Sequence, residues 1–155
     1  MGVVGCNLED ATVHGGQLLP VEEQVARIRE VLEVAKDEGV PDFIVNARCD
    51  ALLSGGIIEE CIRRGKEYLN AGATTIFVWG ATRGLRDDEI RSLVDALNGR
   101  LTVKLGEGKG KLSMKELAQM GVARISMGPA IWREQEKAAE RRINEILSDA
   151  AAWIF

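Results

Sequence analysis

Apolar and polar residues alternate along two early segments of the chain. Gly2–Asp10 reads GVVGCNLED, with Val4, Cys6 and Leu8 set against Asn7 and Glu9. Phe43–Asp50 reads FIVNARCD, with Phe43, Val45, Ala47 and Cys49 on one side of the alternation and Asn46, Arg48 and Asp50 on the other. A period of two marks a strand, because successive side chains point to opposite faces. Each segment is predicted to turn its apolar face to covering helices. The other face then collects amides, carboxylates and a guanidinium. Between the strands the period becomes helical: Val21, Val25, Ile28, Leu32 and Ala35 share one stripe, and Gly39 stops it. Ser54-Gly55-Gly56 leads into a helix over about 57–70, closed by Gly72, and Thr75–Trp79 reads as a strand. A helix over about 87–97 ends near Gly99, and Leu101–Leu105 is the next strand. A short helix around 113–120 stops at Gly121, Arg124–Met127 is the last strand, and Pro129 opens a long final helix.

Strand and helix thus alternate with short connections, which predicts right-handed βαβ units and a parallel α/β sheet. About five such units are present, where a closed (β/α)₈ barrel needs eight. The expectation is one domain over residues 1–155, a partial TIM-type barrel. In parallel α/β folds ligands bind at the carboxyl ends of the strands. Asn7, Glu9, Asn46, Arg48 and Asp50 fall there, so this edge is the candidate site.

Composition narrows the partners. The 155 residues are 46% hydrophobic and 28% charged, with a formal charge of −4. That balance suits a globular chain and gives no basic footprint for nucleic acid or an anionic membrane. Cys6, Cys49 and Cys61 form no CxxC pair, and two of them lie on apolar strand faces, which reads as buried thiols in a reducing compartment. Asn7, Glu9 and Asp10 interrupt the apolar start at once, unlike a signal peptide, and no apolar stretch is long enough to span a bilayer. A cytoplasmic location is expected.

The ordered set GVVGCNLED, PVEEQVARI, VNARCD, AGATTIFVWG and GVARISMG resembles the isocitrate lyase/phosphoenolpyruvate mutase superfamily, and most closely its phosphonomutase-like branch. The similarity covers nearly the whole chain. It implies strands four to eight of a (β/α)₈ barrel that binds Mg²⁺ and makes or breaks C–C or P–C bonds of small α-keto or α-hydroxy acids. By position, Glu9 matches an acidic residue that supports the metal through water, and Arg48 matches the arginine that holds the substrate's carboxylate or phosphonate. Asn46 and Asp50 flank Arg48, and Ala11–Pro20 falls where the family has a gating loop. The chain departs from the family pattern in three places. The aspartate-rich metal motif of an earlier strand has no counterpart, Ala11–Pro20 holds no lysine, and the lyase branch's lysine-cysteine-glycine-histidine signature is missing.

The residues themselves leave alternatives open. Glu9 reads either as a solvated strand-end carboxylate or as the metal's support. Arg48 either pairs internally with Glu9 or Asp50 or binds an acid, and the two are compatible before ligand arrives. Lys104 shares a face with Thr102 and either neutralises substrate charge or pairs with Glu9. His14 reads as a surface-loop residue, and Gly106–Lys111 fails the P-loop spacing. Acidic Asp87, Asp88 and Glu89 complement a helix start. The expectation is therefore a Mg²⁺-dependent lyase or mutase with Arg48 and Glu9 as catalytic residues and Arg48, Asn46, Asn7 and Lys104 binding substrate. The alternative is a truncated, non-catalytic relative that serves as a binding or assembly module, or an incomplete gene product. A homo-oligomer formed through the last helix and the apolar tail Ala150–Phe155 is also expected.

Overall fold

A computed structural model describes residues 2–12, 16–80, 83–106 and 110–151. The elements follow one another as β1 (Gly5–Glu9), α1 (Val21–Asp37), β2 (Ile44–Cys49), α2 (Ile58–Asn70) and β3 (Thr75–Val78), then α3 (Asp87–Ala96), β4 (Leu101–Lys104), α4 (Met114–Gln119), β5 (Arg124–Ser126) and α5 (Ala130–Ala151). All strand pairs are parallel and the sheet order is β1-β2-β3-β4-β5. Every crossover therefore steps to the next strand in the same direction. Crossovers of one hand and direction place their helices on one face, as in a barrel, rather than on both, as in a doubly wound sheet. Asn7 of β1 and Ser126 near the end of β5 line one cleft, so the sheet curls round its helix-free side. The architecture is the expected partial barrel.

The core fills the space between the sheet and its helices. Val45, Ala47, Cys49, Ile76, Val78, Leu101 and Val103 from the strands meet Ile28, Cys61, Tyr68, Leu93, Leu97 and Leu117 from the helices. Each fully buried aliphatic side chain contributes about 1.5–3 kcal/mol. Gly65 lets α2 lie close to this layer: a Cβ there would meet Leu97 Cδ2 at 3.0 Å and two Ile76 carbons at 3.5 Å. The glycines expected to stop α1 and α4 do so in left-handed conformations, Gly39 at φ 81° and Gly121 at φ 88°. β3, β4 and β5 are one residue shorter than the sequence pattern suggests, β2 two and β1 four, although ladder bonding continues past the ends of β2–β5. Trp79 N donates to Cys49 O at 3.2 Å, and Leu105 N donates to Ser126 O at 2.8 Å.

Two features stay open in the described chain. β1 and β5 are the outer strands of the sheet. Along α5, Ile131, Trp132, Ile143, Ile146 and Leu147 are each more than half exposed. The apolar tail beyond residue 151 and the side chains of 150 and 151 lie outside the described residues.

Candidate active site

The helix-free face is polar by construction, since the strand positions that skip the core carry Asn7, Asn46, Thr75 and Thr102. These four form one hydrogen-bonded layer. Asn46 Nδ2 donates to Asn7 Oδ1 at 2.6 Å, while Thr75 Oγ1 and Thr102 Oγ1 donate to Asn46 Oδ1 at 2.7 and 2.9 Å. Asn46 is buried, and a buried amide without such partners would destabilise the fold by about 1–3 kcal/mol. The layer ties four strands together beneath the site.

Towards the carboxyl ends lies a charged layer. Arg48 donates through Nε and Nη2 to both oxygens of Asp50, each at 2.7 Å, and its Nη2 also pairs with Glu9 Oε1 at 3.1 Å. The guanidinium lies over Trp79, 3.9 Å from the ring centroid. Arg48 is thus held on three sides with its plane fixed. Partial burial of Glu9 first, and the neighbouring Asp50 carboxylate second, outweigh the opposing Arg48 and bring its pKa up to about 7. A carboxylate that holds a proton near neutrality is a candidate for acid–base or cation chemistry.

Behind this layer Asp10 anchors the strand ends. In register with Cys6 and Leu8, it faces the core and is fully buried. Its Oδ1 accepts from Asp50 N at 2.8 Å, and its Oδ2 accepts from Tyr68 OH at 2.7 Å and pairs with Arg64 Nη1 at 3.3 Å. Burial first, and Asp10 second, push the Tyr68 phenol well above its ordinary range. Further along β1, Gln24 Nε2 donates to Leu8 O at 3.1 Å and Arg27 Nη1 to Glu9 O at 2.9 Å, so α1 fixes the backbone that carries Glu9. Reading the sequence missed Asp10, Arg64, Tyr68 and Trp79 as parts of the site. The signal for Asp10 was a carboxylate on an apolar strand face, which needs a buried partner.

A cleft of about 610 Å³ opens at the carboxyl ends of β3, β4 and β5, with Asn7, Arg48, Trp79 and Lys104 among its lining residues. Glu9 and Asn46 do not line it but bond to residues that do, Arg48 and Asn7. The loop after β1 is pinned at its base, where Leu19 N donates to Asp10 O at 2.8 Å and Ala11 bridges to Leu18. His14 lies outside the described residues, as do positions 107–109 of the glycine-lysine loop. At the start of α3, burial pushes the Glu89 carboxyl up, but Arg83 and Arg86 outweigh it and hold it below its ordinary range, a structural arrangement. Among the described residues no helix is long and apolar enough to cross a membrane.

Residues 1–147 match the family model for phosphoenolpyruvate phosphomutase. The phosphoenolpyruvate phosphomutase of Streptomyces hygroscopicus is 41% identical over 64 residues, covering 41% of this chain and 20% of that protein. The "Probable 2-methylisocitrate lyase 1" of Corynebacterium glutamicum is 36% identical over 83 residues, covering 49% of this chain and 26% of that protein. Among solved structures, a candidate phosphonomutase from Burkholderia cenocepacia J2315 superposes with a TM-score of 0.82 at 32% identity, covering 93% of this chain and 60% of that one. Phosphonopyruvate hydrolase in complex with oxalate and Mg²⁺ shares the fold, with a TM-score of 0.77 at 24% identity over 95% of this chain and 52% of that one. The chain thus spans between half and three fifths of the length of these structures. It belongs to the phosphoenolpyruvate phosphomutase family, within the isocitrate lyase/phosphoenolpyruvate mutase superfamily.

Proposed function

We propose that this chain carries the acid-binding part of a Mg²⁺-dependent lyase or mutase site that acts on C–C or P–C bonds of small α-keto or α-hydroxy acids. The observation that carries this reading is Arg48, fixed at the carboxyl end of β2 by Asp50, Glu9 and the Trp79 ring. A planar guanidinium pre-positioned at a strand end matches a carboxylate or phosphonate bidentately. Arg48 orients the acid, and Trp79 shields one face of the guanidinium from water. Asn7 and Asn46 supply polar contacts from the layer below, and Lys104 adds positive charge from the cleft wall. Oxalate bound to the related phosphonopyruvate hydrolase supports a small dicarboxylic ligand class.

The residues suit Mg²⁺ in a supporting capacity. Burial, and after it the neighbouring Asp50 carboxylate, raise the Glu9 pKa to about 7, and a nearby cation would favour its ionised form. Hard oxygen donors of this kind are what Mg²⁺ prefers, often through retained water. Among the described residues no group of three metal-capable side chains occurs, so Glu9 is assigned to the metal's water and not to a complete shell. Bound Mg²⁺ would stabilise the negative charge of an enolate-like transition state.

Calorimetric titration of the chain with phosphonopyruvate or oxaloacetate, with and without Mg²⁺, tests the reading. Arg48→Ala is expected to weaken binding about 100-fold, since losing one partner of a charged pair costs about 2–5 kcal/mol. Arg48→Lys, which keeps the charge and the fold but loses the fork, should recover only part of that. Unchanged affinity in both variants, or no Mg²⁺-dependent binding, overturns it. Binding without turnover favours the binding-module alternative.

A further inference from the structure

Asp10 stands where β1 parts from β2. In a parallel pair, alternate residues of one strand donate to a carbonyl of the other and accept from the amide two residues further on. That alternation begins with Val4, whose carbonyl accepts from Ile44 N at 3.0 Å, and it reaches Asp10, whose N donates to Arg48 O at 3.1 Å. The next rung would run from Asp50 N to Asp10 O. It does not form, because Asp10 O accepts from Leu19 N at 2.8 Å and so closes the base of the β1–α1 loop. The Asp10 side chain takes the rung instead, with Oδ1 accepting from Asp50 N at 2.8 Å.

The substitution matters because of what Asp50 carries. Asp10 fixes its N, and Leu53 N and Ser54 N fix its carbonyl at 3.0 and 3.1 Å, so the backbone on both sides of its Cα is held. Its buried carboxylate then meets Arg48 through two bonds of 2.7 Å. A buried amide without an acceptor is unfavourable, so Asp50 keeps this place only while Oδ1 is presented to it. That presentation comes from α2, where Arg64 and Tyr68 lie one turn apart on one face. Tyr68 OH donates to Asp10 Oδ2 at 2.7 Å, and Arg64 Nη1 reaches the same oxygen at 3.3 Å. Arg64 Nη1 also donates to Tyr68 OH at 3.0 Å and to Leu19 O at 2.9 Å. The same guanidinium thus steadies the carboxylate and the segment whose Leu19 displaced the ordinary rung.

We propose that Asp10 is a positioning residue for Arg48: its carboxylate replaces a backbone carbonyl in the β1–β2 ladder, and Tyr68 and Arg64 aim it so that Asp50 holds the guanidinium over Trp79. Asp10 itself touches no ligand. Its effect on an acid in the cleft rests on the reading of Arg48 as the clamp, whereas its effect on Arg48 does not. Asn in this position keeps the size but offers one oxygen to two sets of donors, Asp50 N on one side and Tyr68 with Arg64 on the other.

The test is the nuclear magnetic resonance signal of the Arg48 Nε–H in the 155-residue chain, isotope-labelled at arginine nitrogen and identified by its loss in Arg48→Lys. Asp10→Asn is expected to speed solvent exchange of that proton about tenfold and Tyr68→Phe about threefold. The buried core amides of Ile76 and Leu97 should stay within about twofold. A merely structural Asp10 lowers the urea midpoint and leaves the Arg48 proton unchanged. That result in Tyr68→Phe, which removes one hydroxyl and keeps the ring, overturns the proposal even where Asp10→Asn does not fold. Equal acceleration at Ile76 and Leu97 overturns it as well. Calorimetric titration with oxalate separates the two readings. Tyr68→Phe is expected to weaken oxalate about threefold and to have no further effect in an Arg48→Ala background. A loss of the same size in that background overturns the route through Arg48. If Arg48→Ala leaves oxalate affinity unchanged, the clamp reading fails and the positioning stands or falls on the Arg48 proton alone.

Discussion

Glu60, on the outer flank of α2, accepts from Arg63 at 2.7 and 2.8 Å and from Arg64 Nε at 2.8 Å. Arg63 is the main cause of a carboxyl held down to about 2; burial opposes it and Arg64 adds to it. A folded-state pKa below the unfolded value means stability that is present above ordinary carboxylate pH and lost as pH falls towards 2. The Arg63 partner is more than half exposed, so solvent screening reduces the contribution to about 1 kcal/mol. Glu60→Gln should therefore destabilise the chain by about that amount near pH 7 and by much less near pH 2, as read by urea unfolding at both. Single residues differed in how legible they were. Arg48 stood out because a guanidinium alternates onto the polar side of an otherwise apolar strand. Asp10 did not, since it adjoins Glu9 in sequence but faces the opposite way and finds Arg64 fifty-four residues later. Trp79 sits one residue past β3, where alternation no longer says what a side chain meets.

At the scale of elements, all five strands and five helices were legible in order, because the switch between periods of 2 and 3.6 is strong and glycines punctuate it. The sequential neighbour order followed from the expected partial barrel, but the polar layer across four strands was not legible, since it arises from side-chain pairings distant in sequence. Gly65 shows what period alone conceals. Glycine inside a helix is unfavourable by about 0.8–1 kcal/mol against alanine, so its place on the buried face of α2 reflects close packing. Gly65→Val would push two methyls into Leu97 and Ile76 and is expected to destabilise the chain by about 1–3 kcal/mol, measurable as a lower urea midpoint.

For the whole molecule, the open strands β1 and β5 and the helix α5 set the expectation. Trp132, Ala139, Ile143 and Ile146 recur at helical spacing along α5, and large apolar side chains in that stripe are more than half exposed. A dimer or larger assembly is expected by sedimentation at micromolar concentration, and Ile143→Glu with Ile146→Glu should shift it to monomer. A monomer in the unaltered chain would refute that arrangement. The charged layer at the carboxyl ends has a further consequence for selectivity. Because Asp50 and Glu9 already occupy Nε and Nη2 of Arg48, an acid gripped bidentately, as proposed above, would have to displace a tethered rival whose effective concentration is on the order of millimolar or higher. On that reading weak monoacids would lose the competition, and only ligands that gain additional contacts elsewhere in the cleft would win it. Asp50 and Glu9 would then act as built-in competitive inhibitors, rejecting dilute, featureless carboxylates.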